Sequence, residues 1–156
     1  MRIDVVDGAR TRALRRAVLR PHWPLGSPMH GDDNPDAIHL AALDPAGAVV
    51  GACLVLPRPY PLRPEQPQAW QLRGMAIAAA RQGQGVGGLV LAAAITEIRR
   101  RDGRVAWCDA RSSALAFYAQ HGFLLEGEEF RHAESGIPHY RMWRALAEAE
   151  PALVLG

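Results

Sequence analysis

Four glycines fall among the eight residues Arg81-Gln82-Gly83-Gln84-Gly85-Val86-Gly87-Gly88, and an apolar run of helical spacing, 86–98, starts inside them. A simple flexible turn is the plainer alternative, but it needs only one or two glycines. Four at the mouth of a helix point instead to main-chain N–H groups laid bare against an anion, where the helix dipole already favours negative charge. Glycine removes the Cβ that would hold a diphosphate away. It also tolerates the positive φ of a tight anion nest.

Other chemistries are bounded by what the chain lacks. All 18 basic side chains are arginine, so no lysine is available for a Schiff base, for a phosphate-binding loop or for self-acylation. A net charge of +2 is too small to argue for nucleic acid. The run Arg99-Arg100-Arg101 reads as the solvated end of a helix, where cations suit the dipole. Cys53 and Cys108 lack metal-ligand spacing and read as buried, reduced thiols on strands. No metal is expected. His22 and His30 with Asp32 and Asp33 fit no ligand pattern either, and read as a polar loop. Residues 1–9 are charged and carry no signal-like apolar run. No stretch approaches the roughly 18 residues of a membrane span. The expectation is a soluble cytoplasmic protein without a membrane partner.

Elements follow from periodicity and punctuation. Residues 3–6 read as a strand, and Thr11 as the cap of a helix to Leu19 with Ala13, Leu14, Ala17 and Val18 on one face. Residues 38–43 and 49–56 form a hairpin about Asp44-Pro45-Ala46-Gly47. Pro-rich loops cover 20–36 and 57–67. A strand at 70–77 ends just before the glycines. The helix after them, from about 85 to 101, offers Val86, Leu89, Val90, Ala93, Ile95 and Ile98 to the core. A buried strand follows at 105–109, then a helix capped by Ser112 or Ser113 and stopped by Gly122, and strands at 123–127 and 139–145. This order gives a mixed sheet with helices on its faces. The 156 residues make one domain, with a core of about 3–146 and a tail at 147–156.

Gly83, Gly85 and Gly88 satisfy GxGxxG, and Asp109 lies near the position of a ribose-binding acid. The context does not suit a nicotinamide oxidoreductase. Its glycines follow the first strand at once, whereas here Ala78-Ala79-Ala80-Arg81 intervenes and several strands come earlier. Read as Gln82-x-x-Gly85-x-Gly87 after Leu72-Arg73-Gly74-Met75-Ala76-Ile77, the same loop resembles the acyl-CoA-binding motif of the GNAT superfamily of N-acyltransferases. The stretch Ala110 to Phe123, with Ala114, Phe117, Tyr118, Gly122 and Phe123, is similar to that superfamily's N-x-x-A-x-x-F-Y-x-x-x-G-F helix. Either motif alone is weak; two in order are specific over 70–123.

The resemblance implies a GNAT fold of α/β class: a twisted, mostly antiparallel sheet of six to seven strands, helices on both faces, splayed between the strand 70–77 and the strand 105–109. It implies acetyl-CoA as cofactor, its pyrophosphate on Gln82, Gly83, Gln84, Gly85, Val86, Gly87 and Gly88. The pantetheine arm would lie along Met75, Ala76 and Ile77, where a backbone N–H can polarise the thioester carbonyl. Tyr118 matches the tyrosine that protonates the departing thiolate, a task suited to a phenol with a pKa near 10. Its alternative is a core aromatic; of Phe117 and Tyr118, one is expected inside and the other in the cleft.

Two departures stand out. No glutamate base occupies the strand before the loop, which offers only Gln71 and Arg73. Where the helix motif begins with Asn, this chain has Arg111, a candidate cofactor contact. Other candidate bases are Glu126, Glu128, Glu129, Asp109 and His139, each equally readable as a surface or loop residue. Ile137-Pro138-His139 resembles an I-P-H signature of a bacterial branch, so His139 either meets substrate or braces its loop. Asp32 and Asp33 could draw a protonated amine. The expected reaction is acetyl transfer to a small or peptidic amine by direct attack in a ternary complex. A route through Cys108 is poorer, and a silent acyl-CoA sensor or subunit is the alternative. Homodimers are common in such folds, though no interface is specified here.

Overall fold

The computed structural model describes residues 1–24, 27, 29, 34–133 and 135–146. Strands β1 (Arg2–Val6), β2 (Ile38–Leu43), β3 (Val49–Pro57), β4 (Ala69–Ile77), β5 (Val105–Arg111), β6 (Leu124–Arg131) and β7 (Pro138–Ala145) form one sheet in the order β1-β2-β3-β4-β5-β7-β6. Helices α1 (Arg12–Leu19), α2 (Val86–Arg100) and α3 (Leu115–Gln120) pack on it. Every pairing is antiparallel except β4 with β5, which run parallel over Ala69↔Val105, Trp70↔Ala106 and Gln71↔Trp107. The expected mixed, mostly antiparallel sheet is therefore present. Among the described residues, no helix is long and apolar enough to cross a membrane.

Local chemistry explains the joints. The Asp44 carboxylate accepts from the Ala46 and Ala48 amides at 2.9 Å each, and Gly47 takes φ +84°, closing the β2–β3 hairpin. In β4, Leu54 pairs with Arg73 and Ala52 with Ala76, so two residues, Gly74 and Met75, oppose Cys53 alone. This is a β-bulge at a glycine of φ +62°, and it bends β4. An added Cβ at Gly74 would lie 3.1 Å from Arg15 Cδ as well as in left-handed backbone. Gly74→Ala should therefore lose about 1–2 kcal/mol of stability, read by urea denaturation. An unchanged midpoint would show that the bulge is not under this constraint.

The large core lies between α2 and the sheet. Val86, Val90, Leu91, Ala94, Ile95 and Ile98 are the buried residues of α2. Leu89, expected inside, is 53% exposed because it falls off that arc, and Leu91 and Ala94 complete the face instead. Helix α1 also departs from its apolar reading: Ala13 and Ala17 are exposed, while Thr11 and Arg15 are buried. Thr11 does not cap the helix. Its hydroxyl donates to the Gly8 carbonyl and accepts from Arg15 Nε, both at 3.0 Å, while Asp7 caps the preceding turn through the Ala9 amide. Ser112 and Ser113 lie in a 3-10 turn and supply no side-chain cap to α3. Gly122 stops α3 as expected, at φ +86°.

A second, smaller core lies under the Pro-rich loop 57–67. Tyr60 is fully buried there with Ala69, Val105 and Trp107, and half-buried Trp143 packs against them. The Trp107 indole N–H donates to the Arg58 carbonyl at 2.9 Å, fastening the loop to β5.

Candidate active site

Beyond Gln71 and Trp107 the two parallel strands separate. Strand β4 keeps β3 on its outer side as far as Ile77↔Gly51, and β5 keeps β7 as far as Arg111↔His139. The facing edges, 72–77 and 108–111, have no strand between them. A cavity of about 610 Å³ fills the gap and runs from the glycine loop to His139. The α1 end, Val18 to Arg20, and His132 from the β6–β7 turn close its wall.

The loop supplies donors. A 3-10 turn, Ala79–Arg81, leads from β4 to the glycines. Gln82 Nε2 donates to the Ile77 carbonyl and Gln84 Nε2 to the Ala80 carbonyl, each at 3.1 Å, bracing the turn. Gly83 and Gly85 adopt φ +78° and +84°, and Gly85 caps α2 without any side-chain bond. The N–H groups of residues 83–88 find no backbone acceptor among the described residues. Unsatisfied amides at the positive end of a helix of 15 residues suit an anion. Their chemistry fits a diphosphate.

Of the residues expected at the cofactor, Met75, Ile77, Gln82, Gly83, Gly87 and Arg111 line the cavity. Gln84 and Gly85 lie in the turn next to Gly83, and Gly88 lies in the first turn of α2. Ala76 and Val86 are only 1% and 2% exposed, with side chains in the core, so main-chain groups alone remain for contact there. Alternation along β4 turns the Ala76 side chain inward, and the contact expected of this residue is a main-chain one. The Arg111 guanidinium donates to the Leu19 carbonyl at 2.9 Å, the unsatisfied end of α1. Asp32 and Asp33, like His30, fall outside the described residues.

Tyr118 is a core aromatic that also reaches the cavity. It is 5% exposed, packs edge-on against Phe117 and Phe123, and still lines the cavity. Phe117 lines it as well, so the pair does not divide into one inward and one cleft residue. Burial, with the neighbouring Cys108 and Cys53 thiols, raises the Tyr118 pKa well above 10, so the phenol holds its proton until needed. The two thiols are unsuited to attack. Burial lifts Cys53 to about 12, and burial with the Asp109 charge raises Cys108 further still.

The candidate bases separate clearly. Glu126 is gripped by Arg63 through contacts of 2.7, 3.2 and 3.2 Å, which hold its carboxyl below the usual range; it is a structural partner away from the cavity. Glu129 accepts from the Tyr140 hydroxyl at 2.9 Å, and Glu128 is an exposed residue of β6. Asp109 lines the cavity and meets Arg141 at 3.4 Å. Gln71, at the cavity floor, is held by Arg58 at 3.0 Å. His139 is 5% exposed, and its ring lies 5.0 Å from that of His132.

His139 Nδ1 sits 2.7 Å from the Ile137 carbonyl, which can only accept, so Nδ1 carries the hydrogen and neutral Nε2 keeps a lone pair. Burial lowers the pKa below 6.5; the Ile137 bond opposes this, Arg111 adds to it, Asp109 opposes it and Arg20 adds again. At neutral pH the ring is a ready acceptor.

Sequence reasoning missed Arg20 and His132. Neither sits in a recognisable pattern, and only the fold brings them to Arg111 and His139.

A parted parallel strand pair therefore carries an amide nest at one end of the gap, with a buried phenol and an imidazole along it. A family model described as an acetyltransferase (GNAT) domain matches residues 34–124. The chain belongs to this family of transferases. It is 24% identical over 130 residues to YitI, an uncharacterised N-acetyltransferase of Bacillus subtilis, covering 83% of this chain and 87% of that one. In fold it resembles an aminoglycoside 6'-N-acetyltransferase solved with coenzyme A (TM-score 0.74, 16% identity, 97% and 100% of the two chains). It also resembles an acyl-CoA N-acyltransferase from Pseudomonas aeruginosa (TM-score 0.66, 24% identity, 88% and 89%). The GNAT fold inferred from the two motifs is the fold observed. The nicotinamide reading does not fit a sheet with one parallel pair.

Proposed function

We propose that this protein is a cytoplasmic N-acetyltransferase that joins an acetyl group to a primary amine by direct attack in a ternary complex. The observation that carries the reading is the continuity of one cavity from the unsatisfied amides of 83–88, past Tyr118, to His139. When bound, acetyl-CoA supplies the activated acyl group as a thioester. The amides of 83–88 hold the diphosphate, and the unpaired β4 edge at 72–77 offers main-chain groups to the arm and a donor to the reacting carbonyl. His139 Nε2 takes the proton of the attacking amine, with Nδ1–H anchored on Ile137. Tyr118 returns a proton to the leaving sulfur.

Free thiol release from acetyl-CoA across a broad panel of amines tests this directly. Turnover supports it. Coenzyme A binding without release on any amine would make the protein a silent acyl-CoA sensor instead.

His139→Gln should lower kcat by about 100-fold. In the wild type, kcat at saturating amine should fall as pH drops through a value below 6.5, because protonation removes the Nε2 lone pair. That acid limb should vanish in the variant. Its persistence would place the base elsewhere.

A further inference from the structure

Two arginines of the cavity wall are brought together by the end of α1. Arg20 and Arg111 line the cavity close to each other, and Asp109 lines it too. That carboxylate already faces Arg141 at 3.4 Å. Arg20 and Arg111 converge on one oxygen, donating to the Leu19 carbonyl at 2.8 and 2.9 Å. Arg20 is held from behind by the Trp23 ring, 5.2 Å from its central carbon. Half-buried like charges repel in a low-dielectric site, and each lowers the other's preference for its charged form. Here burial and Arg20 do lower the Arg111 pKa. A helix-end carbonyl is a partial charge only, so it does not neutralise the two guanidinium groups at the cavity wall. Arg111 pairs across the sheet with His139, which places this positive charge beside the proposed base. Carrying the parallel register onward sets Arg111 about level with Met75, ahead of the glycine loop.

Accepting the acetyl-transfer reading above, we propose that the acceptor amine carries an oxyanion, a carboxylate or a phosphonate, held by Arg20 and Arg111. The guanidinium fork matches the planar oxygens of a carboxylate and also suits phosphonate oxygens. The same field disfavours an ammonium group, so the amine end of such a zwitterion enters more readily as the neutral nucleophile. Polycationic acceptors such as polyamines and aminoglycosides are repelled. The chemical class selected is therefore amino-acid-like.

The test compares wild-type kcat/KM for α-, β- and γ-amino acids with that for their amides, for aminoalkylphosphonates and for polyamines. Acids should exceed their amides by roughly 10- to 100-fold, as loss of a hydrogen bond to a charged group implies. Preference for the carboxylate or the phosphonate arm identifies the source of the oxyanion. Arg20→Gln and Arg111→Gln should bring the ratio toward one with coenzyme A affinity within about twofold, and Arg111→Lys should restore part of it. Amides or polyamines used as well as the acids would overturn the proposal. So would a collapse of coenzyme A affinity in Arg111→Gln with selectivity intact, since the arginine would then serve the cofactor. Calorimetry on the coenzyme A-loaded wild type, with an N-acetylated amino acid against its amide, reads the anion preference without turnover. If no amine is acetylated, the transferase reading fails, and this measurement still decides the present one: tighter binding of the acid upholds it, and equal binding refutes it.

Discussion

Tyr118→Phe should cut kcat about 100-fold while leaving the dissociation constant for coenzyme A within about twofold, as expected when a general acid is removed and nothing else is moved. The ring stays packed. Its edge contacts with Phe117 and Phe123, at centroid distances of 5.1 and 5.4 Å, involve carbon only, so the substitution deletes one oxygen at the cavity wall. The raised pKa gives a second signature. Because the phenol keeps its proton well above pH 10, wild-type kcat should show no alkaline loss up to pH 9 attributable to this group. Steady-state rates from thiol release, with binding by calorimetry, check both. A large affinity loss with kcat preserved would make Tyr118 a packing residue.

Gly85→Val should raise the dissociation constant for coenzyme A by more than about 100-fold, equivalent to roughly 3 kcal/mol of lost contact. An added Cβ at Gly85 meets nothing within 4 Å, so the variant does not collide with its own protein. The new side chain instead fills the space in front of the bare amides. Backbone strain at φ +84° is a confounding effect, and the molecule contains its own control. Gly47, in the β2–β3 turn, has the same φ and the same open surroundings. Gly47→Val should lose comparable stability and keep binding. Gly87→Val is a less clean experiment, since its Cβ would press on Phe117 at 3.1 Å. Equal binding by folded Gly85→Val and Gly47→Val would remove the diphosphate from the loop.

The elements nearest the chemistry were legible because their signals are local. Glycine spacing marks the nest, Phe117-Tyr118 and Gly122 mark α3, and the strand at 70–77 running straight into the loop marks the parting edge. What escaped depends on contacts distant in sequence. The apolar spacing of α1 points to Ala13 and Ala17, yet Arg15 is the buried residue, its side chain bonded to Thr11 and lying against the bulge at Gly74. Tyr60 sat in a Pro-rich segment readable only as loop, and its burial follows from Trp107 and Trp143, dozens of residues later. Glu126 was a candidate base until Arg63, 63 positions earlier, claimed it. Arg20 joins Arg111 only because both find one carbonyl at the end of α1. Charge clustering of this kind has no periodic signature.

No strand lies between the facing edges of β4 and β5, so peptide N–H and C=O groups border the gap together with the side chains of the cavity wall. A slender, amide-bearing guest would find hydrogen-bonding partners in the polypeptide backbone itself. On that reading the fit would depend more on how the chain bends at Gly74 than on the side chains of Met75 and Ile77.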